Sequence, residues 1–182
     1  MSFNVSAFRS NLPFGGAKAS LFEVELSGLP TGIQVPNGGK FLIKASSLPE
    51  TTLGTTELSY FGRKIKLPGD RTYAEWQITV INDEDFAIRN AMESWVALLN
   101  APEANVRALA GNYTGTAVIK QYSKTGTGGV EEGVIKSYKF VNLFPTTVSA
   151  IDMNWETVDQ IEDFTVTFQY DYFLPISAPQ VA

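Results

Sequence analysis

The sequence predicts a mainly antiparallel β fold with one flanking helix, a sandwich or part of a barrel. Three observations carry this. Residues 21–26 alternate, with Phe22, Val24 and Leu26 on one side and Glu23 and Glu25 on the other, which is the period of a half-buried strand. Residues 163–172 alternate more cleanly, with Phe164, Val166, Phe168, Tyr170 and Tyr172 opposite Asp163, Thr165, Thr167, Gln169 and Asp171. Only residues 83–100 carry a clear helical period, placing Ile88, Met92, Trp95 and Leu99 on one face.

The elements follow in order. Residues 1–19 scatter Phe3, Phe8 and Phe14 among Ser, Asn, Gly and Pro and read as an arm that orders against something else. After the strand at 21–26, Gly28, Pro30, Gly32 and the Pro36-Asn37-Gly38-Gly39 cluster make a turn-rich connection to a second strand at 40–46. Residues 47–55 (SLPETTLGT) read as a polar loop. Residues 56–61 and 63–67 read as two strand segments, with Gly62 permitting a bend or bulge. A turn is expected at Pro68-Gly69-Asp70, and then a strand at 75–81 with Trp76, Ile78 and Val80 inward.

For the helix, Asn82 is the expected N-cap, and Asp83, Glu84 and Asp85 suit the positive end of its dipole. Pro102 closes it, and residues 101–112 read as a loop. Strands are expected at 113–122, 134–143 and 147–155, with a hairpin tip at Gly126–Gly129, before the last strand. Pro175 and Pro179 end regular structure. The organisation expected is one domain at 20–174, an arm at 1–19 and a tail at 175–182.

Composition narrows the chemistry. The chain has 182 residues, is 44% hydrophobic and 12% aromatic, and contains neither cysteine nor histidine. Disulfides, thiolate metal sites and every imidazole-dependent catalytic arrangement are therefore excluded. The net charge of −5 argues against gripping a phosphate backbone. The longest apolar run, residues 95–99, is far short of a membrane span, so a soluble protein made in the cytoplasm is expected.

Each remaining cluster has an ordinary explanation. Asp83-Glu84-Asp85 offers oxygen ligands for a divalent cation but reads as an acidic helix start. The 126–129 glycines lack the lysine and following helix of a phosphate loop. Glu131-Glu132 and Asp159, Glu162 and Asp163 supply carboxylates for a glycosidase pair, with nothing placing two of them across a cleft. Arg63, Lys64, Lys66 and Arg71 form a basic run best read as a solvated or interface face. Trp76, Trp95 and Trp155 read as core or interface aromatics. No enzyme activity, cofactor or metal is expected.

Two long segments resemble a known family. LFEVELSGLP, KASSLPE and FGRKIKLPGDRTYAEWQITVINDED in the first half resemble the tail tube proteins of contractile-tailed bacteriophages. So does LFPTTVSAIDMNWETVDQIEDFTVTFQYDYF at the end, and with the helix at 83–100 and the strand AVIKQY the resemblance covers residues 20–173. It implies a β-sandwich protomer with one flanking helix, hexameric rings whose inner sheets join into a large barrel, and rings stacked into a tube inside a contractile sheath. It implies DNA and the tape measure protein passing through the lumen, and contacts with the tail sheath, baseplate and tail terminator proteins. The setting implied is a virion tail assembled in the host cytoplasm.

Within that frame, ring-to-ring contacts are expected from the arm and from Leu48, Pro49, Glu50, Leu53, Glu57, Arg63, Lys64, Asp70 and Arg71. Asp70 and Arg71 are expected to fix the turn between two strands or to reach a neighbour. Asp163 and Asp171 are expected to face the lumen, where like charge gives DNA no counterion-release affinity. Two alternatives stay open: a pyocin-like or type VI secretion tube, and a monomeric β-sandwich binding module displaying an exposed aromatic row.

Overall fold

The computed structural model describes residues 4–12, 16–102, 109–124, 133–156 and 158–176. Nine strands and two α-helices are assigned among them: α1 (Val5–Ser10), β1 (Phe22–Ser27), β2 (Ile43–Ser46), β3 (Thr51–Tyr60), β4 (Arg63–Tyr73), β5 (Trp76–Ile81), α2 (Ala87–Leu99), β6 (Gly115–Tyr122), β7 (Val134–Val148), β8 (Asp163–Gln169) and β9 (Tyr172–Ile176). All pairings are antiparallel. The tip at 126–129, Glu131-Glu132, Phe3, Phe14 and Pro179 lie outside the described residues.

The sandwich is made by one long strand shared between two layers. The first half of β7 pairs β6 and β9, and β6 pairs β1. From Phe144 onward β7 pairs β8 instead, and the second layer continues through β5 to β2. The switch falls at Asn142, whose φ of 56° is a left-handed conformation that Asn tolerates better than most residues. Such corners are how a strand changes layer. The Asn142 amide donates to Asp171, and Asp171 N–H donates to Val141 O. Asp171 therefore ties the β8–β9 corner to the corner in β7.

The inward rows are those that alternation marked. Val24 and Leu26 of β1, Ala117 and Ile119 of β6 and Phe140 of β7 meet Trp76, Ile78, Val80, Phe164, Val166 and Phe168 of the second layer. Helix α2 adds Ile88, Met92 and Trp95 to the same core. It starts later than the acidic triplet suggested: the N-cap is Phe86 at φ 53°, not Asn82. The Asp85 carboxylate accepts the Ala87 N–H and Asp83 accepts the Glu84 N–H, so the acids shape the entry to the helix rather than its first turn.

Five expectations are corrected. Residues 51–55 are strand, not loop, because β3 and β4 pair along their whole length. Pro68-Gly69-Asp70 lies inside β4; the turn is Phe61-Gly62, with φ of 45° and 75°. Two central residues at positive φ are what a two-residue turn needs to match strand twist. Residues 149–155 are not strand, since β7 ends at Val148. The last strand breaks at Tyr170-Asp171, so Tyr172 is exposed rather than inward. Pro175 sits inside β9 opposite Tyr138. In the arm, residues 5–10 form a short exposed helix with Asn4 Oδ1 accepting the Ser6 N–H.

Candidate functional site

The β3–β4 hairpin is an arm. At about 3.3 Å per residue its ten-residue first strand reaches roughly 30 Å, and nearly every residue along it is exposed. Its outer part has two unlike faces. Leu58 opposite Ile65 and Thr56 opposite Leu67 share one face, with Tyr60 and Arg63 nearest the turn. The other carries Glu57, whose carboxylate holds Lys64 at 2.8 Å and Lys66 at 3.9 Å. Exposed pairs of this kind contribute little stability; they fix where charge sits.

A bulge divides the arm. Leu53 pairs Arg71 and Thr55 pairs Pro68, leaving Gly54 opposite both Gly69 and Asp70. The strands cross so closely there that a Cβ on Gly69 would lie 3.2 Å from the Gly54 carbonyl carbon and oxygen. A bulge of this kind bends the strand and raises its twist. Asp70 and Arg71 thus sit at a bend within one strand, not at a turn between two.

The root is held by aromatic packing. Tyr73, at the end of β4, lies 5.5 Å from Phe173 and 5.9 Å from Tyr170 between ring centroids. The Tyr170 hydroxyl donates to Ala74 O at 2.7 Å, and Ala74 N–H donates to Glu50 O at 3.0 Å. Burial, with Tyr73 beside it, pushes the Tyr170 phenol up to about 12. Pro49 is half-buried. Exposed Leu48 edges an open groove of about 140 Å³ that Phe22, Ile119, Lys136 and Tyr138 also line.

The interface residues expected from sequence therefore gather on one arm and its root. Asp163 and Asp171 are separated from them and from each other. Asp163 begins β8 on the outer face of the second layer, held by Lys44 at 2.6 Å, while Asp171 lies at the corner. Along the rest of that outer face Gln77 lies opposite Thr167 and Thr79 opposite Thr165, and Gln169 donates to the Glu75 carboxylate at 2.9 Å. Glu162 accepts from Asn82. Among the described residues no group of three or more acidic side chains is arranged to hold a metal ion.

Trp76 and Trp95 are buried, whereas Trp155 is fully exposed. It belongs to the irregular segment 149–162, where Met153, Val158 and Ile161 are also exposed. Sequence reasoning missed the acidic, apolar character of this segment. It also missed the hairpin turn at Phe61-Gly62, although alternation already set Lys64 and Lys66 on the face opposite Ile65 and Leu67, as the structure has them.

The sequence model of the family described as phage tail tube protein matches residues 9–175. The chain belongs to the phage tail tube protein family. It is 28% identical over 158 residues to tail tube protein gp19 of Enterobacteria phage T4, spanning 86% of this chain and 90% of that one. It is 25% identical over 131 residues to the tail tube protein of Serratia phage KSP90, spanning 71% and 70%.

Among solved structures, this tail tube family member superposes on a chain of the sheath/tube terminator of the extracellular contractile injection system PVC, with a TM-score of 0.64. That match has 14% identity and covers 89% of this chain and 97% of the other. A chain of the anti-feeding prophage tube-terminating cap matches with a TM-score of 0.63 and 21% identity, covering 90% and 92%. At these identities the likeness is one of fold.

Proposed function

We propose that the chain forms homohexameric rings that stack into the hollow tube of a contractile phage tail and conduct DNA, with the tape measure protein, during ejection. The observation that carries this reading is the open second layer. β2 pairs only β5, and residues 144–148 of β7 pair only β8 among the described residues. A four-stranded layer with a free edge on each side is an aggregation liability alone and a barrel segment in a ring. Copies joined edge to edge make a barrel far wider than those filled by their own side chains, and so leave a lumen.

In such a ring the outer face of the second layer lines the lumen, with Gln77, Thr79, Thr165 and Gln169 facing the cargo, Asp163 at one rim and Glu75 beside Gln169 at the other. Hydroxyls and amides release no counterions from DNA, and Asp163 with Lys44 adds no net positive charge. The sheet edges complete the ring, and the hairpin residues from Leu53 to Arg71 serve contacts along the tube. Sheath, baseplate and terminator proteins are the expected partners. They fit the sheath–tube, baseplate and terminator assemblies from which structures of the same fold come.

Negative-stain microscopy of the purified protein tests the proposal. Stacked rings with a central hole are expected, and monodisperse small particles at high protein concentration would reject it. An Asp163 side chain found buried between rings in a reconstruction would remove the lumen assignment alone.

A further inference from the structure

The sandwich has an edge on each side of each layer, and the edges are not alike. In the second layer, β2 and residues 144–148 of β7 are bare, each paired on one side alone among the described residues. In the first layer the edges are β1, which pairs β6, and β9, which pairs β7. β1 is covered. Residues 36–39 lie so close to it that a Cβ on Gly38 would stand 3.0 Å from Leu26 O and 3.2 Å from Glu25 Cγ. Lys40, next in the chain, reaches both Glu23 and Glu25. The far side of β9 is paired by no strand among the described residues.

That side of β9 has the makings of a template for a further strand. Tyr172, Leu174 and Ile176 are 38%, 53% and 43% exposed, and an open apolar edge invites pairing with another chain. It is short of donors, however. In an antiparallel ladder alternate residues turn N–H and C=O to the partner, and those between turn outward. Ile176 O accepts from the Ser137 hydroxyl at 3.4 Å, and Asp171 N–H reaches Val141 O, opposite Tyr172, at 3.1 Å. The backbone groups of Tyr172, Leu174 and Ile176 therefore face β7, and those of Phe173 and Pro175 turn outward. Pro175 has no N–H, and its ring fills the place of one. Phe173 is left as the outward donor between Tyr172 and Ile176. A proline with its nitrogen turned away from the ladder costs β9 no bond to β7.

We infer that Pro175 determines which edges of this protein can join. By closing β9 it leaves bare only the two edges of the second layer, so copies add strand to strand there and not through the first layer. What the second-layer edges build rests on the tube reading above; the closure of β9 does not. An N–H at position 175 would make the edge self-complementary. Two β9 strands could then pair about a twofold axis, an isologous contact that competes with the closed ring.

Pro175→Thr restores the N–H with a residue suited to strands. Ile176→Lys, on the exposed face of the same strand, closes the edge by charge instead. Wild type, both single variants and the double variant are compared by urea denaturation, by thioflavin T fluorescence with sedimentation, and by negative-stain microscopy. Pro175→Thr should keep the wild-type urea midpoint and yield fewer tubes. It should form irregular, thioflavin-positive pellets at a protein concentration at least about fivefold lower than wild type, the weight of one net hydrogen bond. The double variant should return to the wild-type threshold and tube yield.

A Pro175→Thr protein that forms tubes normally and aggregates at the wild-type threshold would overturn the inference. So would pellets that come with a lowered urea midpoint and persist in the double variant, because those arise from a weakened fold. Wild type without tubes would reject the tube reading. The aggregation threshold of Pro175→Thr against wild type would still decide the role of Pro175.

Discussion

Trp76 lies flat on Phe140, with ring centroids 4.5 Å apart and planes 12° from parallel. The two residues come from opposite layers, Trp76 from β5 and Phe140 from the half of β7 that still pairs β6. Both are fully buried, and the Trp76 N–H donates to Ser46 Oγ at 3.0 Å, so the indole's polar atom is satisfied. This stack is the centre of the sandwich. Phe140→Ala should cost about 3–5 kcal/mol, the range for removing a buried aromatic that leaves a cavity. Urea denaturation of the unassembled protein measures it, and a loss below about 1 kcal/mol would show that the layers are held elsewhere.

The close approach of Gly115 to Trp95 gives a second prediction. A Cβ on Gly115 would lie 2.9 Å from one ring carbon of Trp95 and 3.1 Å from another. The ring cannot swing away, because its N–H donates to Tyr113 O at 2.6 Å and it is fully buried. Gly115→Ala should therefore destabilise by about 1–3 kcal/mol through overpacking. The smaller ring of Trp95→Phe should make room, so the double variant should lose less than the sum of the single losses. Strict additivity would count against the contact.

Elements that bury a face were legible in the sequence. Val24 and Leu26, Trp76, Ile78 and Val80, and Phe164, Val166 and Phe168 all point inward as their alternation required, as do Ile88, Met92 and Trp95 on the helix. The hairpin was not legible in full, because Thr51, Thr52 and Leu53 bury nothing and are strand only through pairing with Tyr73, Thr72 and Arg71. Pro68-Gly69-Asp70 has turn composition, yet close crossing at Gly54 uses it as a bulge. Ile151, Met153 and Trp155 mimic a strand's alternation, but strand needs a partner edge, and local sequence does not record one. The hairpin residues were recognisable as interface candidates by composition.

Tyr170 predicts a pH dependence. Its phenol is pushed up to about 12 by burial and then by Tyr73, against about 10 in the unfolded chain. Between these values the folded chain holds a proton that the unfolded chain has lost, so stability falls as pH rises. The contribution is fully present below pH 10 and disappears as pH passes 12, roughly 3 kcal/mol across the window. Tyr170→Phe removes this term and, near neutral pH, costs about 1–2 kcal/mol for the lost bond to Ala74 O. Wild type should lose more stability than Tyr170→Phe between pH 10 and 12, and equal losses would contradict the assignment.

The bulge in the hairpin offers a way to test assembly apart from folding. A Cβ at Gly69 meets backbone atoms of Gly54 at 3.2 Å and Thr56 Oγ1 at 3.4 Å, and one at Gly54 meets Asp70 O at 3.3 Å. Backbone against backbone has no flexible side chain to yield, so Gly69→Val must open the strands and change the bend between Leu53 and Thr55. The sandwich core does not include these residues, so the cost of opening the strands should fall on the hairpin and leave the core of the unassembled protein folded and cooperative. The outer hairpin face, with Leu58, Ile65 and Leu67, is re-aimed by the same change. Gly69→Val should therefore remain folded by circular dichroism while losing polymers in sedimentation assays. Polymers of wild-type length from a folded Gly69→Val protein would show that the bend does not aim the arm. A large loss of core stability would show instead that the hairpin folds as part of the sandwich.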